Sequence, residues 1–481
     1  MNAEEPILQE QAVSSRFAVP QAELDKQIEY TAMVETVLQS RFPDKKPLAF
    51  VHTYGCQGNV ADGEKIKGIL VSLGYDLTEE IDDADLVLYN TCAIREHAQD
   101  RVFGNVGKRK AWKEADRSRI LALCGCMMQQ TYVADKIKKS YPYVDLVFGT
   151  HVIHKLPEFI YRCLCTGKRV FDLSGGDGNV VEGLPIHRDG TFKAWLPIMY
   201  GCNNFCSYCV VPYVRGRERS RDFDAVVEEA RRLIAAGYKE ITLLGQNVNS
   251  YNKDKDASLR FPALLRAIND IEGDFWIRFM TSHPRDCTKE LLDTMASCKK
   301  VAKHLHLPVQ SGNDRVLQEM NRHYDREKYL SLIAYAKEKM PDLSITSDII
   351  VGFPGETAEE FEDTLSLVKQ VRFTSLFTFI FSPRPGTKAA AMSDPFDRAE
   401  KNRRFKALTD LQESIAGART ASMKGKVFRV LVEESTKDGL LSGRTEGNVI
   451  IVFPGDEALI GSFQNVEVTE PKTWILKGRL C

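Results

Sequence analysis

Three cysteines lie within eight residues, in Gly201-Cys202-Asn203-Asn204-Phe205-Cys206-Ser207-Tyr208-Cys209, directly after the apolar stretch AWLPIMY. Three thiolates at this spacing can hold three irons of a cubane cluster on one loop, leaving a fourth iron without a protein ligand. Structural zinc is the rival reading, and it wants four closed ligands. No fourth Cys or His lies close by, His187 being fifteen residues upstream. The preceding apolar stretch reads as a strand, so the loop stands at the head of the next sheet.

Downstream of the loop the chain is regular. EITLLGQNV, FWIRFMTSH, HLHLPVQSG, LSITSDIIVGFPGE and LFTFIFSPRPG are strand candidates, separated by helical segments such as DAVVEEARRLIAAG. This alternation predicts a barrel or partial barrel over residues 194–416. Upstream, PLAFVHTYGC, DLVLYNTC and RILALCGCMMQ each read as a strand running into a cysteine loop, with ADGEKIKGILVSLGY as an amphipathic helix. Strands alternating with helices predict a parallel α/β sheet over 48–173. Residues 1–47 read as a polar, partly ordered N-terminal extension, and the Gly-rich SGGDGNVVEGLP marks a linker over 174–193. Beyond the helical FKALTDLQESIAGARTASMKG the period changes. KVFRVLVEES, NVIIVF and SFQNVEVTEP predict a small β barrel over 417–481. The expected fold class is an α/β multidomain chain: an N-terminal parallel α/β cluster-binding domain, a central partial (β/α) barrel and a C-terminal small β barrel. A length of 481 residues suits several domains, since single cores rarely exceed roughly 300 residues.

Cys-x3-Cys-x2-Cys with an aromatic residue before the last cysteine resembles the radical S-adenosylmethionine signature, over roughly 190–415. The resemblance implies that Cys202, Cys206 and Cys209 hold a 4Fe-4S cluster whose open iron chelates the amino and carboxylate groups of S-adenosylmethionine. Gly245-Gln246-Asn247 ends a strand candidate where that family commonly binds the methionine amino group. Ser282, Gln310 and the segment Asp348 to Gly352 end later strands, where ribose and adenine contacts are usual. Gln246, Asn247, Ser282, Gln310, Asp348 and Gly352 are therefore the expected cofactor contacts, although the turn Gly352-Phe353-Pro354-Gly355-Glu356 departs from the family's glycine spacing.

A second triad is more dispersed. Cys56, Cys92 and Cys126 stand about 35 residues apart, each at the end of a predicted strand. One sheet edge can gather all three, because ligands of parallel sheets collect at the strands' carboxyl ends; spacing alone leaves scattered core cysteines as an alternative. TYGCQ-x-N, N-T-C-x-I-R and G-C-M-x-Q, followed by the first triad and VVPYVRGRERSR, resemble the methylthiotransferases over about residues 48–480. In that family these three cysteines bind an auxiliary 4Fe-4S cluster taken as the sulfur source. Cys126 falls inside the G-C-M-x-Q motif, whereas Cys124 sits on the strand and is expected to pack. Cys163, Cys165, Cys287, Cys298 and Cys481 have no counterpart in the motifs and are expected to be buried or incidental.

The same resemblance implies an RNA partner. Arg215, Arg217, Arg219 and Arg221 follow the first triad, where phosphate contacts are expected; as a charge run they also read as an ordinary solvated face. Arg101, Lys108, Arg109, Lys110 and Lys113 offer a second basic stretch. The C-terminal barrel resembles the TRAM domain, an RNA-binding module of tRNA-modifying enzymes. The family divides by substrate: isopentenylated adenosine beside the tRNA anticodon, threonylcarbamoyl-adenosine at the same place, or an aspartate of a ribosomal protein. CVVPYVRGRERSR and TYGCQ-x-N most resemble the first branch. That branch implies transfer of a methylthio group to carbon 2 of the adenine, with S-adenosylmethionine serving as methyl donor and as radical source. The expected partners are the tRNA anticodon stem-loop and a reducing electron donor, with the chain acting as a monomer. An RNA-binding iron–sulfur redox sensor is the rival of another class.

Composition places few further limits. With 43% hydrophobic and 27% charged residues the chain has the make-up of a soluble globular protein. A net charge of -1 neither requires nor excludes RNA, since a local basic face suffices for binding. No apolar run approaches the roughly 18 residues that span a bilayer, and the first residues lack the pattern of a signal peptide. The expected location is the cytoplasm, where twelve cysteines are more readily metal ligands or core residues than disulfides.

Overall fold

In the computed structural model the described residues are 18–93, 96–174, 178–256 and 258–481, and they fall into two compact units. Of these described residues, the first unit takes those up to 189 with 197–203 and 210–221, and the second takes the others.

The first unit is built on six strands in the order β2-β1-β3-β4-β5-β6, all adjacent pairs parallel. They are β1 (Leu48–Thr53), β2 (Asp76–Leu77), β3 (Leu86–Thr91), β4 (Ile120–Gly125), β5 (Leu146–Phe148) and β6 (Val170–Asp172). LVLYNT of β3 and ILALCG of β4 are buried at every position. That is the mark of central parallel strands, whose two faces are both covered by helices and which therefore read as apolar runs rather than alternations. Leu86, Leu88 and Ala122 pack toward one layer, Val87, Tyr89, Leu121 and Leu123 toward the other.

Helix α1 (Gln21–Arg41) packs on the helix Leu156–Thr166 and contributes Val34 and Leu38 to the first layer. Part of the segment expected to be a partly ordered, helical extension therefore packs into this core. Its apolar positions are few among polar ones, so its sequence carries little periodicity. The linker also has partners: His187 N–H donates to the Glu64 carbonyl, and Arg188 pairs with the Glu64 carboxylate at 2.9 Å.

In the second unit the expected alternation resolves into two three-stranded sheets. Lys193–Pro197, Glu240–Leu244 and Trp276–Phe279 form one; His304–His306, Ser344–Val351 and Ser375–Ile380 form the other. A bridge from Ile277 to Val301 and the succession of strands give a partial barrel. Its helices are capped as their sequences require: Asp222 accepts from Ala225 N–H at the head of Phe223–Ala235, and Thr357 with Glu360 forms a capping box before Ala358–Val371.

The C-terminal part closes as a five-stranded barrel: Val427–Ser435, Leu441–Thr445, Ile450–Phe453, Ile475–Leu480 and Phe463–Pro471, in that spatial order. Val430, Val432, Ile451, Phe453, Val466, Val468 and Leu476 fill it. Two staves, Leu441–Thr445 and Ile475–Leu480, were absent from the sequence expectation because their glycine-containing, half-polar stretches lack clean alternation.

Within this unit Arg278 joins barrel to barrel. Its Nε lies 2.5 Å from the Glu240 carboxylate, and its Nη atoms donate to the carbonyls of Glu446 and Thr445 at 2.7 and 2.8 Å. Removing one member of a buried pair leaves the other charge uncompensated, at a cost of about 3–5 kcal/mol. Arg278→Met should therefore destabilise the second unit by about 3 kcal/mol, the lower end of that range, because Lys193 still faces Glu240. Urea unfolding followed by tryptophan fluorescence would register the loss, and an unchanged midpoint would refute it.

Candidate functional site

Strands β1, β3 and β4 are adjacent, and registers Thr53↔Asn90 and Thr91↔Gly125 bring their carboxyl ends level. Cys56, Cys92 and Cys126 come immediately after these ends, so the sheet gathers the three loops at one edge. Two glycines permit the approach. Gly55 has φ +108°, and a Cβ there would stand 2.6 Å from the Cys92 sulfur; Gly125 has φ +94°, and a Cβ there would strike the Thr91 carbonyl. Cys56 is the N-cap of α2 (Gln57–Ser72), whose positive dipole end therefore faces the edge. Cys124 lies on β4, fully buried in the apolar layer with Phe148 and Ile153.

Polar groups tie the three loops together. Asn59 Nδ2 donates to the Tyr54 and Thr91 carbonyls at 2.8 and 2.9 Å, bridging the loops of Cys56 and Cys92. Its Oδ1 accepts from Arg215 Nη2 at 2.6 Å, while Arg215 Nε lies 2.9 Å from the Cys126 sulfur. Arg215 Nη1 forms an ion pair of 2.6 Å with Asp62. Burial pushes the Cys126 thiol up to about 12, with Arg215 opposing the shift. Metal binding must release such a proton, since thiolate is the ligating form. Among the described residues no three of His, Cys, Asp and Glu converge on a point that suits a single metal ion. Three cysteine loops at one edge offer three sulfurs, the donor set that a cubane with one open iron takes and one short of a closed zinc site.

The other triad begins after Met199–Tyr200. Cys202 N–H donates to the Gly216 carbonyl at 3.1 Å, and Cys209 N–H to the Cys206 carbonyl at 3.0 Å. Asn321 Nδ2 donates to the carbonyls of Asn204 and Phe205, fixing the middle of the loop, where Phe205 takes φ 47°. The buried Arg322 reaches the Cys206 sulfur at 3.4 Å and donates to the Pro308 carbonyl at 2.7 Å. Each triad thus has a buried guanidinium against one cysteine sulfur.

The second unit contains an unusual set of orphans. Buried polar atoms of Asn204, Ser207, Asn247, Asn249, Ser282, His283 and Gln310 have no hydrogen-bond partner among the described residues. Buried polar groups are normally paired, and each orphan costs about 1–3 kcal/mol. A ligand rich in amino, carboxylate, hydroxyl and ring nitrogen groups would satisfy them, which is the chemistry of S-adenosylmethionine. Of the expected contacts, Asn247, Ser282 and Gln310 carry such orphans; Gln310 also takes φ 72°. Gln246 follows the strand Glu240–Leu244 as expected and has partners of its own. Asp348 lies within a strand, half-buried, 3.5 Å from His306 Nε2. The Gly352 N–H donates to the Glu356 carboxylate at 2.9 Å, so this amide serves the turn. Asn204, Ser207, Asn249 and His283 were not among the expected contacts, although the first two lie inside the cysteine motif and His283 ends the strand candidate FWIRFMTSH.

The arginine run does not form the solvated face that a charge run suggests. Arg215, Arg219 and Arg221 are buried, and only Arg217 is exposed. Arg215 is held by Asp62 and Asn59, and Arg219 by the Arg215 and Arg217 carbonyls. Arg221 pairs with the Glu182 carboxylate at 2.5 Å and donates to the Pro197 carbonyl.

Comparison with known proteins divides the chain at the same places. The radical SAM superfamily matches residues 196–368, the family described as uncharacterized protein family UPF0004 matches 49–149, and the TRAM domain matches 421–481. The radical S-adenosylmethionine methyltransferase TsrM from Kitasatospora setae is similar in fold, with a TM-score of 0.53 at 13% identity over 72% of this chain and 75% of that one. The fold and these matches define a radical SAM enzyme, a class that uses S-adenosylmethionine and a 4Fe-4S cluster. Two relatives are far closer in sequence. One from Thermoanaerobacter sp. (strain X514) is 49% identical over 89% of this chain and 92% of its own length, and one from Acetivibrio thermocellus is 46% identical over 95% and 98%. Both are named tRNA-2-methylthio-N(6)-dimethylallyladenosine synthase, and the chain belongs to that methylthiotransferase family.

Proposed function

We propose that this enzyme adds a methylthio group to carbon 2 of the isopentenylated adenosine beside the tRNA anticodon. The observation that carries the reading is near-half identity, along nine-tenths of the chain, to relatives bearing that activity in their name. In it, Cys202, Cys206 and Cys209 would hold the cluster that binds S-adenosylmethionine, and Cys56, Cys92 and Cys126 an auxiliary 4Fe-4S cluster that donates sulfur. When bound, these groups supply a carbon radical that removes hydrogen from the adenine, and the methylated sulfur that replaces it. The chain's own share is to position and to exclude water. Asn247, Ser282 and Gln310 offer polar atoms to the methionine and nucleoside groups, and Arg322 and Arg215 steady one cysteine of each triad. The substrate base must leave its stack to be reached, which costs little in a loop nucleotide.

The tRNA anticodon stem-loop and a reducing electron donor are the partners of this reading, the TRAM barrel supporting the first. A monomer in the cytoplasm completes it; among the described residues no helix is long and apolar enough to cross a membrane.

Substrate choice tests the branch. Anaerobic assays on prenylated tRNA, the same tRNA without the prenyl group, and threonylcarbamoylated tRNA should give turnover on the first and little on the others. Apolar contact is worth about 1–3 kcal/mol per methylene, so a five-carbon tail can supply several kcal/mol of discrimination. The threonylcarbamoyl group brings a carboxylate that would require a cationic partner. Equal turnover of bare and prenylated tRNA would overturn the assignment. Failure to form 5′-deoxyadenosine with dithionite and S-adenosylmethionine would favour a redox sensor instead.

A further inference from the structure

Arg215 stands six residues beyond Cys209 in sequence, yet its guanidinium is spent at the edge that carries the other triad. The side chain is 7% exposed, and the Asp62 carboxylate that faces it is 5% exposed. Burying a charge pair is costly, and such pairs are often replaceable by apolar residues without loss of stability. A fold that keeps one beside three cysteines therefore invites a chemical reason.

The geometry gives one. Three nitrogens of the planar fork have separate partners: Nη1 faces Asp62 at 2.6 Å, Nη2 donates to Asn59 Oδ1 at 2.6 Å, and Nε lies 2.9 Å from the Cys126 sulfur. Asn59 cannot turn away, because its amide nitrogen is held by the Tyr54 and Thr91 carbonyls, which precede Cys56 and Cys92. The chain of contacts thus runs from the first two cysteine loops through Asn59 and Arg215 to the sulfur of the third. Asp62 fixes the guanidinium from the other side and balances its charge. An ammonium could not reproduce this fork, being a point charge without a fixed plane.

We propose that Arg215 is a positioning residue for the auxiliary cluster: locked by Asp62 and Asn59, it donates a charge-assisted hydrogen bond to the Cys126 sulfur. This rests on the reading that Cys56, Cys92 and Cys126 hold a cluster. A donor on a ligand sulfur withdraws electron density from bound iron, and hydrogen bonds to the sulfurs are among the terms that set a cluster's reduction potential. Arg215 accordingly holds the auxiliary cluster at a less negative potential than the cysteines alone would give, and makes the Cys126 sulfur a weaker electron donor to iron.

The test uses the full chain carrying Cys202→Ala, Cys206→Ala and Cys209→Ala, so that any iron belongs to the other triad. Arg215→Met with Asp62→Asn is added, removing both charges together so that neither remains buried alone. After anaerobic reconstitution, iron per chain, far-ultraviolet circular dichroism and a redox titration followed by electron paramagnetic resonance are compared with the parent. The expected result is about four irons in both proteins, the same circular dichroism and a more negative midpoint in the Arg215→Met, Asp62→Asn protein. Arg215→Lys, which keeps a cationic donor, should lie between the two. An unmoved midpoint at full iron content, or Arg215→Lys shifted further than Arg215→Met with Asp62→Asn, would overturn the proposal. A folded parent that takes up no iron would instead sink the cluster reading beneath it, a failure that these readings keep distinct.

Discussion

Replacing Cys56, Cys92 and Cys126 together with alanine should leave S-adenosylmethionine cleavage intact while abolishing sulfur transfer to RNA. The three side chains belong to loops at the ends of β1, β3 and β4; Asn59 joins the first two loops through backbone carbonyls, and Thr91 Oγ1 donates to the Cys124 carbonyl beside the third, contacts that need none of the sulfurs. The strands themselves are filled by Leu86, Leu88, Leu121 and Leu123, which the substitutions do not touch. The sheet should therefore survive, and iron should fall from about eight to about four per chain, the content of one remaining 4Fe-4S group. Anaerobic incubation with dithionite and S-adenosylmethionine should still yield 5′-deoxyadenosine, and nucleoside mass spectrometry should find no methylthio product. Sustained methylthiolation by this variant would mean that the sulfur comes from elsewhere.

The reciprocal variant should show the opposite signature. With Cys202, Cys206 and Cys209 replaced by alanine, about four irons should remain, but no 5′-deoxyadenosine should form. Loop geometry supports survival of the fold here too, since Asn321 holds it through the Asn204 and Phe205 carbonyls and not through the thiols. The Arg322 guanidinium would lose its sulfur neighbour yet keep the Pro308 carbonyl and Tyr324. Loss of all iron from a folded triple variant would rule out two independent clusters. The pair of experiments separates radical generation from sulfur supply, two demands that one shared cluster would merge.

Much of the site was legible in the residues. The short spacing of Cys202, Cys206 and Cys209 is a local fact, and strand-end cysteines need only a parallel sheet to meet. Asn247, Ser282 and Gln310 could be placed at strand ends for the same reason. The Arg215 network was not legible, because Asn59 and Asp62 lie about 150 residues from it and nothing local distinguishes a buried arginine from a solvated one. A run of four arginines in seven residues looks like a basic surface; tertiary burial turned three of them inward. Asp348 lies inside the strand Ser344–Val351, as the candidate LSITSDIIVGFPGE had it, and Gly352 follows directly after it. Two barrel staves were missed for want of periodicity, and the packing of helix α1 into the core was not legible, its partners lying far away in sequence.

The two triads also differ in when they can exist. Cys202, Cys206 and Cys209 share a nine-residue loop, so their sulfurs stay close together even in a chain that has barely begun to organise. Cys56, Cys92 and Cys126 meet only after β1, β3 and β4 have aligned, and parallel pairing over such separations forms late because the entropy of loop closure is lost before the contacts form. In the two-cluster reading proposed above, the local loop would be ready for iron first, and the sheet edge only once its strands have paired, so that loading at the edge would report on that domain's folding.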